Sequence, residues 1–278
     1  MIYRHVLKVG LIVCLSLVNF QLLADDGPIK FGSVAMDVPA DMHKRLTPLT
    51  KYLSDSLGQP VSLKLAKDMP EAIQDISKGQ VDLAYLTPVA YIRSNADGNA
   101  QPIVKLKTNN KASFKLMIVV REDSPIQSVE DLIGKSFAFG DKAALLQRAV
   151  VVGAGLPLEK LGSYHYLRHY DNIVRAVLLG EYDAGILKDT KAYNWKGKGI
   201  RILYSSPELP PYNIAASSKV SPQIVAKLKK AFLNLDINKP DHYSIIKALD
   251  KKYDGFAPAS DSDYDIVRQL IKPFDNKY

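Results

Sequence analysis

Gly79-Gln80-Val81-Asp82-Leu83-Ala84-Tyr85-Leu86-Thr87 and Gly180-Glu181-Tyr182-Asp183-Ala184-Gly185-Ile186-Leu187-Lys188 are two renderings of one pattern, 101 residues apart. The echo continues into Ala90-Tyr91 and Ala192-Tyr193, offset by one further residue. Each copy follows an amphipathic helical run, with Ile73 and Ile76 in the first and Ile173, Val174, Val177 and Leu178 in the second. A glycine ends a helix, a hydrophobic strand starts at the aspartate, and a polar residue opens the next helix. Solenoid repeats run about 20–50 residues, so this period is too long for one. It predicts two similar α/β lobes with a cleft between them.

The flanking segments extend the alternation. Strands are expected at Ile29–Val34, Val61–Ala66 and Val81–Leu86, and helices at Pro39–Leu57 (with a break at Pro48), Pro70–Ser77 and Pro88–Ser94. Pro102–Leu106 and the apolar run Phe114–Val120 follow. Beyond the turn Glu122-Asp123-Ser124-Pro125, strands are expected at Ser136–Phe139, Ser163–Leu167, Tyr182–Leu187 and Ile200–Leu203. The intervening helices are Ala143–Ala154, Asn172–Leu179 and Thr190–Trp195. The remainder reads as helical cover for the first lobe, at Pro222–Leu235, His242–Leu249 and Asp261–Leu270. The fold class is therefore α/β: two lobes, each a mostly parallel sheet flanked by helices, joined by a two-strand hinge near Ser113 and Ser206. The expected boundaries are 25–112 with 208–278 for lobe 1 and 113–207 for lobe 2.

Residues 1–24 have the form of a cleavable secretory signal peptide. Arg4, His5 and Lys8 give a basic start, Val9–Phe20 is almost wholly apolar, and Leu22-Leu23-Ala24 offers a small residue at the cut. The single cysteine, Cys14, lies inside this segment, which leaves a mature chain without a disulfide or thiolate site. The whole chain carries a net +8, and removal of Arg4 and Lys8 lowers that by two. The lysines are scattered and not interleaved with aromatics, which argues against nucleic acid. A mild positive field suits a small anionic ligand.

Ligands of open α/β sheets collect outside the carboxyl ends of strands, where helix N-termini offer free N–H groups. Three helix starts qualify: Thr87-Pro88, Gly140-Asp141-Lys142-Ala143 and His169-Tyr170-Asp171-Asn172. Thr87 and Asp171 are also good caps whatever they face, and Asp82 and Asp183 also suit turns. Lys142 opposes a helix dipole if it occupies the first turn, a misfit that an anion over the N-terminus removes. The candidate ligand contacts are Tyr85, Thr87, Tyr91, Lys142, Ala143, His169, Tyr170 and Asp183. No nucleophile elbow, zinc-protease motif, P-loop or dinucleotide fingerprint is present, so neither an enzyme nor a cofactor is expected. No metal site is expected either, because His165 and His169 fall on a strand and a turn.

Taken together, Phe31-Gly32-Ser33-Val34, Pro48-Leu49-Thr50-Lys51-Tyr52-Leu53, Gly79-Gln80-Val81-Asp82-Leu83-Ala84, Asp123-Ser124-Pro125-Ile126, Glu130-Asp131-Leu132-Ile133-Gly134-Lys135, Tyr182-Asp183-Ala184-Gly185 and Gly255-Phe256-Ala257-Pro258 resemble the phosphate/phosphite/phosphonate-type solute-binding proteins of bacterial ABC transporters. The resemblance covers nearly all of the mature chain. It implies a hinged, two-lobed periplasmic binding protein, a monomer that captures a small anion and delivers it to a membrane permease. A sensor docking on a receptor or histidine kinase is the alternative. Tyr85, His169 and Asp183 match the family's pattern. The family's Ser-Thr-Ser-like anion run is replaced by Lys142-Ala143-Ala144, and an aromatic often found at the place of Met69 is absent.

Overall fold

The computed structural model describes residues 27–33 and 39–274. The proposed signal peptide lies outside them. Strand β1 (Ile29–Ser33) is followed by α1 (Pro39–Leu57), β2 (Val61–Leu65), α2 (Met69–Ser77), β3 (Leu83–Leu86), α3 (Pro88–Gly98) and β4 (Gln101–Thr108). The chain then builds β5 (Leu116–Arg121), β6 (Ser136–Phe139), α4 (Leu145–Gly153), β7 (Ser163–Tyr166), α5 (Tyr170–Leu178), β8 (Ala184–Lys188), α6 (Asp189–Trp195) and β9 (Ile200–Ser205). It closes with β10 (Asn213–Ala216), α7 (Pro222–Leu233), α8 (Pro240–Leu249), β11 (Tyr253–Pro258) and α9 (Asp265–Ile271).

Two sheets result, a six-stranded one ordered β11-β4-β10-β3-β1-β2 and a five-stranded one ordered β7-β6-β8-β5-β9. The twin motif occupies matching places in them: β3 lies beside β1 in one sheet and β8 beside β6 in the other, both parallel. Gly79 and Gly180 follow the last helical residues with φ of 64° and 72°. A left-handed turn there suits glycine, which ends the helix and releases the chain into the strand.

The sheets are more mixed than the expectation of mostly parallel strands. β1–β2, β1–β3, β6–β7 and β6–β8 are parallel. The pairings of β5 with β8 and β9, of β10 with β3 and β4, and of β11 with β4 are antiparallel. β10 and β11 fall where only helices were expected. Asn213-Ile214-Ala215-Ala216 is buried on both faces, so it lacks the alternation that marks a strand in sequence.

Helix α1 runs unbroken through Pro48. Proline removes one helical hydrogen bond, and tertiary packing offsets the loss. Met42, Leu46, Leu49 and Leu53 are fully buried along one face. The Tyr52 hydroxyl donates to the Ala231 carbonyl at 2.8 Å, and Arg45 Nε donates to the Leu249 carbonyl at 2.8 Å.

The two passages between the sheets are bonded to each other. Phe114 and Leu209 exchange N–H···O bonds of 3.0 and 2.8 Å, and the Ser206 hydroxyl accepts the Leu116 N–H at 3.0 Å. This is the expected two-strand hinge. A third connection was not expected: α9, read as cover for the first lobe, packs on α3 and also on α4, next to the five-stranded sheet. Val267, Ile271 and Phe274 share a buried cluster with Leu146 and Val150, so apolar burial on both sides holds α9 across the join.

Candidate functional site

Between the two sheets lies a cavity of about 190 Å³. From the six-stranded side it is walled by Met69 and Ile73 of α2 and by Thr87, Pro88, Val89, Ala90 and Arg93 at the start of α3. From the other side come Ala143 and Ala144 in the loop after β6, Leu145, Leu146 and Gln147 of α4, and Tyr170 opening α5. The hinge contributes Phe114, Leu116 and Tyr212. Strand ends and helix starts thus converge here, as the topology predicts.

The local sequence explains how each polar group is held. Thr87 caps α3 with its hydroxyl, which accepts the Ala90 N–H at 3.1 Å, and Pro88 occupies the first helical position. Gln147 is buried on α4. Its carbonyl oxygen accepts the Gly140 N–H at 2.8 Å and its amide donates to the Tyr170 hydroxyl at 3.4 Å, tying the β6–α4 loop to α5. Burial pushes the Tyr170 hydroxyl up to about 12 and also raises that of Tyr212, so both remain neutral donors. The Tyr212 hydroxyl has no protein partner among the described residues.

Arg93 is half-buried and makes no hydrogen bond or ion pair among the described residues. It also lines an adjoining crevice with Lys142 and Arg148. Arg148 is engaged elsewhere, since its Nη1 donates to the Tyr166 hydroxyl at 2.7 Å. A half-buried guanidinium without a counter-ion can take an oxyanion in matching fork geometry.

Of the residues singled out from sequence, Thr87, Ala143 and Tyr170 line the cavity. Lys142 stands in the crevice beside it, but in a loop turn ahead of α4, which starts at Leu145. The dipole conflict inferred for Lys142 therefore does not arise. The N–H groups of Ala143 and Ala144 are already bonded to the Asp141 carboxylate at 2.7 Å and the Asp141 carbonyl at 3.0 Å.

Four other candidates lie elsewhere. Tyr85 is buried in the core of the six-stranded sheet, its hydroxyl 2.8 Å from that of Tyr253. Tyr91 is buried with its hydroxyl donated to Asp261 and its ring 4.4 Å from that of Tyr264. Both tyrosines point to the inner side of their element, where packing and a neighbouring oxygen satisfy them. Asp183 sits at the amino end of β8, away from the carboxyl ends that meet the cavity, and holds Ser136. His169 is exposed at the N-cap of α5 and is not among the cavity residues.

Sequence reasoning missed Arg93, Gln147, Phe114 and Tyr212. A signal existed for two of them. Arg93 is the one charge in the run Pro88-Val89-Ala90-Tyr91-Ile92-Arg93, four residues from Val89 on the same face. Tyr212 follows Pro210-Pro211 at the crossing itself. Among the described residues no group of three or more His, Cys, Asp or Glu side chains is placed to hold a metal, and no helix is long and apolar enough to cross a membrane.

The model of the family described as "ABC transporter, phosphonate, periplasmic substrate-binding protein" matches residues 31–264. The "Phosphate-import protein PhnD" of Mycolicibacterium smegmatis is 23% identical over 270 residues, covering 87% of this chain and 84% of its own. Among solved structures, XAC2383 from Xanthomonas citri bound to chloride superposes with a TM-score of 0.73 at 18% identity, over 89% of this chain and 97% of that one. PhnD1 from Prochlorococcus marinus in complex with methylphosphonate gives 0.68 at 19% identity, over 90% and 98%. At such identities the structural likeness establishes the two-lobed fold. The family match spans nearly all the described residues, from β1 to the turn before α9, and the chain belongs to the phosphonate-type periplasmic substrate-binding proteins of ABC transporters.

Proposed function

We propose that this protein captures a phosphonate- or phosphate-like oxyanion in the cavity between its sheets and passes it to the transporter's permease. The observation that carries this reading is Arg93, a half-buried guanidinium without a protein partner at the wall of that cavity. Thr87, Tyr170 and Tyr212 supply hydroxyl donors around it. Lys142 adds positive charge at the rim, and Ala143 shapes the wall. In this arrangement Arg93 takes the place of the hydroxyl run that the chain lacks at Lys142-Ala143-Ala144. Two relatives support the ligand class by their descriptions, one a phosphate-import protein and the other a methylphosphonate complex.

The same reading assigns 25–112 with 208–278 to one lobe and 113–207 to the other, closing about the Phe114–Leu209 hinge. It takes residues 1–24 as the signal that delivers a monomer to the periplasm. The family names a transporter as the receiver, and nothing in it points to a sensor kinase. The role is binding without turnover.

Thermal-shift and calorimetric titration with phosphate, phosphite, methylphosphonate and sulfate test the proposal. At least one oxyanion raises the melting temperature by mass action. Absence of any shift and of any heat across the set overturns it.

A further inference from the structure

The polar groups around the cavity are sorted by hydrogen-bond role. Arg93 can only donate. The Thr87 hydroxyl already accepts the Ala90 N–H, which leaves its own proton to donate. Gln147 has a fixed orientation, because its carbonyl oxygen meets the Gly140 N–H, a group that cannot accept. Its amide nitrogen is therefore the end that faces the Tyr170 hydroxyl. Tyr170 accepts from that amide and turns its proton away from it. Tyr212 is the one hydroxyl of the wall with both roles open.

Acceptors are missing from the same wall. Among the described residues no carboxylate lines the cavity. The carboxylates whose charge reaches Tyr170 and Tyr212 are those of Asp141, Asp189 and Asp250, and all three stand outside it. Each is bonded to backbone: Asp141 to the Ala143 N–H, Asp189 to those of Lys115 and Thr190, and Asp250 to that of Lys252. The main-chain oxygens are engaged as well. The carbonyls of Thr87, Phe114, Leu116, Ala143, Ala144 and Tyr212 each accept a backbone N–H at 2.8 to 3.1 Å. The adjoining crevice brings only cations, from Lys142 and Arg148 beside Arg93.

We infer that the cavity selects a fully ionised tetrahedral oxyanion, one whose oxygens all accept and none of which carries a proton. The inference rests on the oxyanion-capture reading and narrows it to ligands without an acidic hydroxyl. A sulfonate, sulfate or doubly ionised phosphonate presents only acceptors to a wall of donors. A ligand P–OH meets no carboxylate here. The lone pairs left to it belong to neutral hydroxyls, Tyr212 first among them, and these are weaker acceptors than a charged oxygen. A donor taken from water without a good acceptor loses its hydration for little return. Inorganic phosphate keeps at least one such hydroxyl near neutral pH, so the wall discriminates against it.

The test is calorimetric titration with two matched pairs. Below the second ionisation of methylphosphonate, its monoanion and methanesulfonate share charge and shape and differ by one proton. Above the second ionisation of phosphate, its dianion and sulfate differ in the same way. The proton-free member of each pair binds at least about tenfold tighter. Thr87→Asp keeps the helix cap, since both residues serve there, and adds a charged acceptor to the wall. It lowers the preference for methanesulfonate over the phosphonate monoanion at least about tenfold, with circular dichroism confirming the fold. Equal affinities within the pairs, or tighter binding of the protonated members, overturn the selection while oxyanion capture still stands. An undiminished preference in Thr87→Asp overturns its assignment to the missing acceptor. If that variant binds neither ligand, the ratios of the parent protein decide. Failure of all four ligands to bind overturns both readings.

Discussion

The Asp183 carboxylate accepts the backbone N–H and the hydroxyl of Ser136, each at 2.8 Å. Its counterpart Asp82 accepts the Lys30 N–H at 2.8 Å. Each aspartate thus clamps the start of the strand next to its own, β6 in one sheet and β1 in the other. The repeat keeps an aspartate here for sheet assembly. Asp183→Ala is expected to lower the unfolding free energy by about 1–3 kcal/mol, two net hydrogen bonds, and to leave ligand affinity unchanged. Urea unfolding beside calorimetry checks this, and a loss of affinity without a loss of stability would return Asp183 to the binding site.

Arg93→Gln is expected to weaken binding of the oxyanion found by screening at least about tenfold, or 1.4 kcal/mol. The unfolding midpoint should hardly move, because the guanidinium has no protein partner to lose. A variant that binds as well as the parent would remove Arg93 from the site.

Tyr212 offers a hydroxyl that no protein group uses. Tyr212→Phe should therefore cost about 0.5–1.5 kcal/mol of binding if the ligand accepts from it, and almost nothing in stability. The ring stays, with its edge-on contact to Tyr85 at 5.6 Å. Equal affinities for the two proteins would show that the hydroxyl faces water in the complex.

Gly98 ends α3 where it crosses the end of α2. A Cβ there would stand 2.3 Å from the Ser77 carbonyl oxygen and 2.4 Å from its Cα. Backbone cannot swing aside as a side chain can, so Gly98→Ala must separate the two helices. The expected cost is about 1–3 kcal/mol, measured by denaturant unfolding. Because α2 and α3 both wall the cavity, a drop in affinity should accompany it.

Asp261 is partly buried, which by itself would raise its pKa. Bonds from the Arg268 guanidinium and the Tyr91 hydroxyl outweigh that and lower it. A depressed carboxylate stabilises the fold above its unfolded pKa of about 4 and loses that contribution as pH falls through the lower folded value. Melting temperature should therefore drop from about pH 4 downward, and less steeply in Asp261→Asn, which starts lower at neutral pH. Parallel melting curves for parent and variant would mean that other carboxylates carry the acid response.

Legibility varied with the range of the interaction concerned. The capping role of Thr87 and the glycine turns at Gly79 and Gly180 rest on groups within a few residues, and they stand as read. The break at Pro48 was misjudged because Leu249 and Ala231, far along the chain, help to hold α1 together. β10 was invisible because a strand buried on both faces has no polar side to alternate with. Tyr85 and Tyr91 were misplaced for a related reason. A tyrosine within a strand or in a first helical turn has the same local sequence whether it faces a cleft or a core. Only Tyr253 and Asp261, more than 150 residues away, decide which way they face.

The sequence by itself determined that this chain has two α/β lobes, since the repeat, its glycines and its hydrophobic periods are local and redundant. It also marked the helix starts as the ends that converge between the sheets, because strand direction dictates which ends gather. Tertiary structure alone decided which side chains face the gap. It left the half-buried Arg93 guanidinium at the cavity wall without a side-chain partner among the described residues, and it bonded the Ala143 and Ala144 N–H groups that had seemed free. The physical reason is that an unsatisfied charge is defined by everything around it. No stretch of sequence contains that information until the two sheets have been brought together.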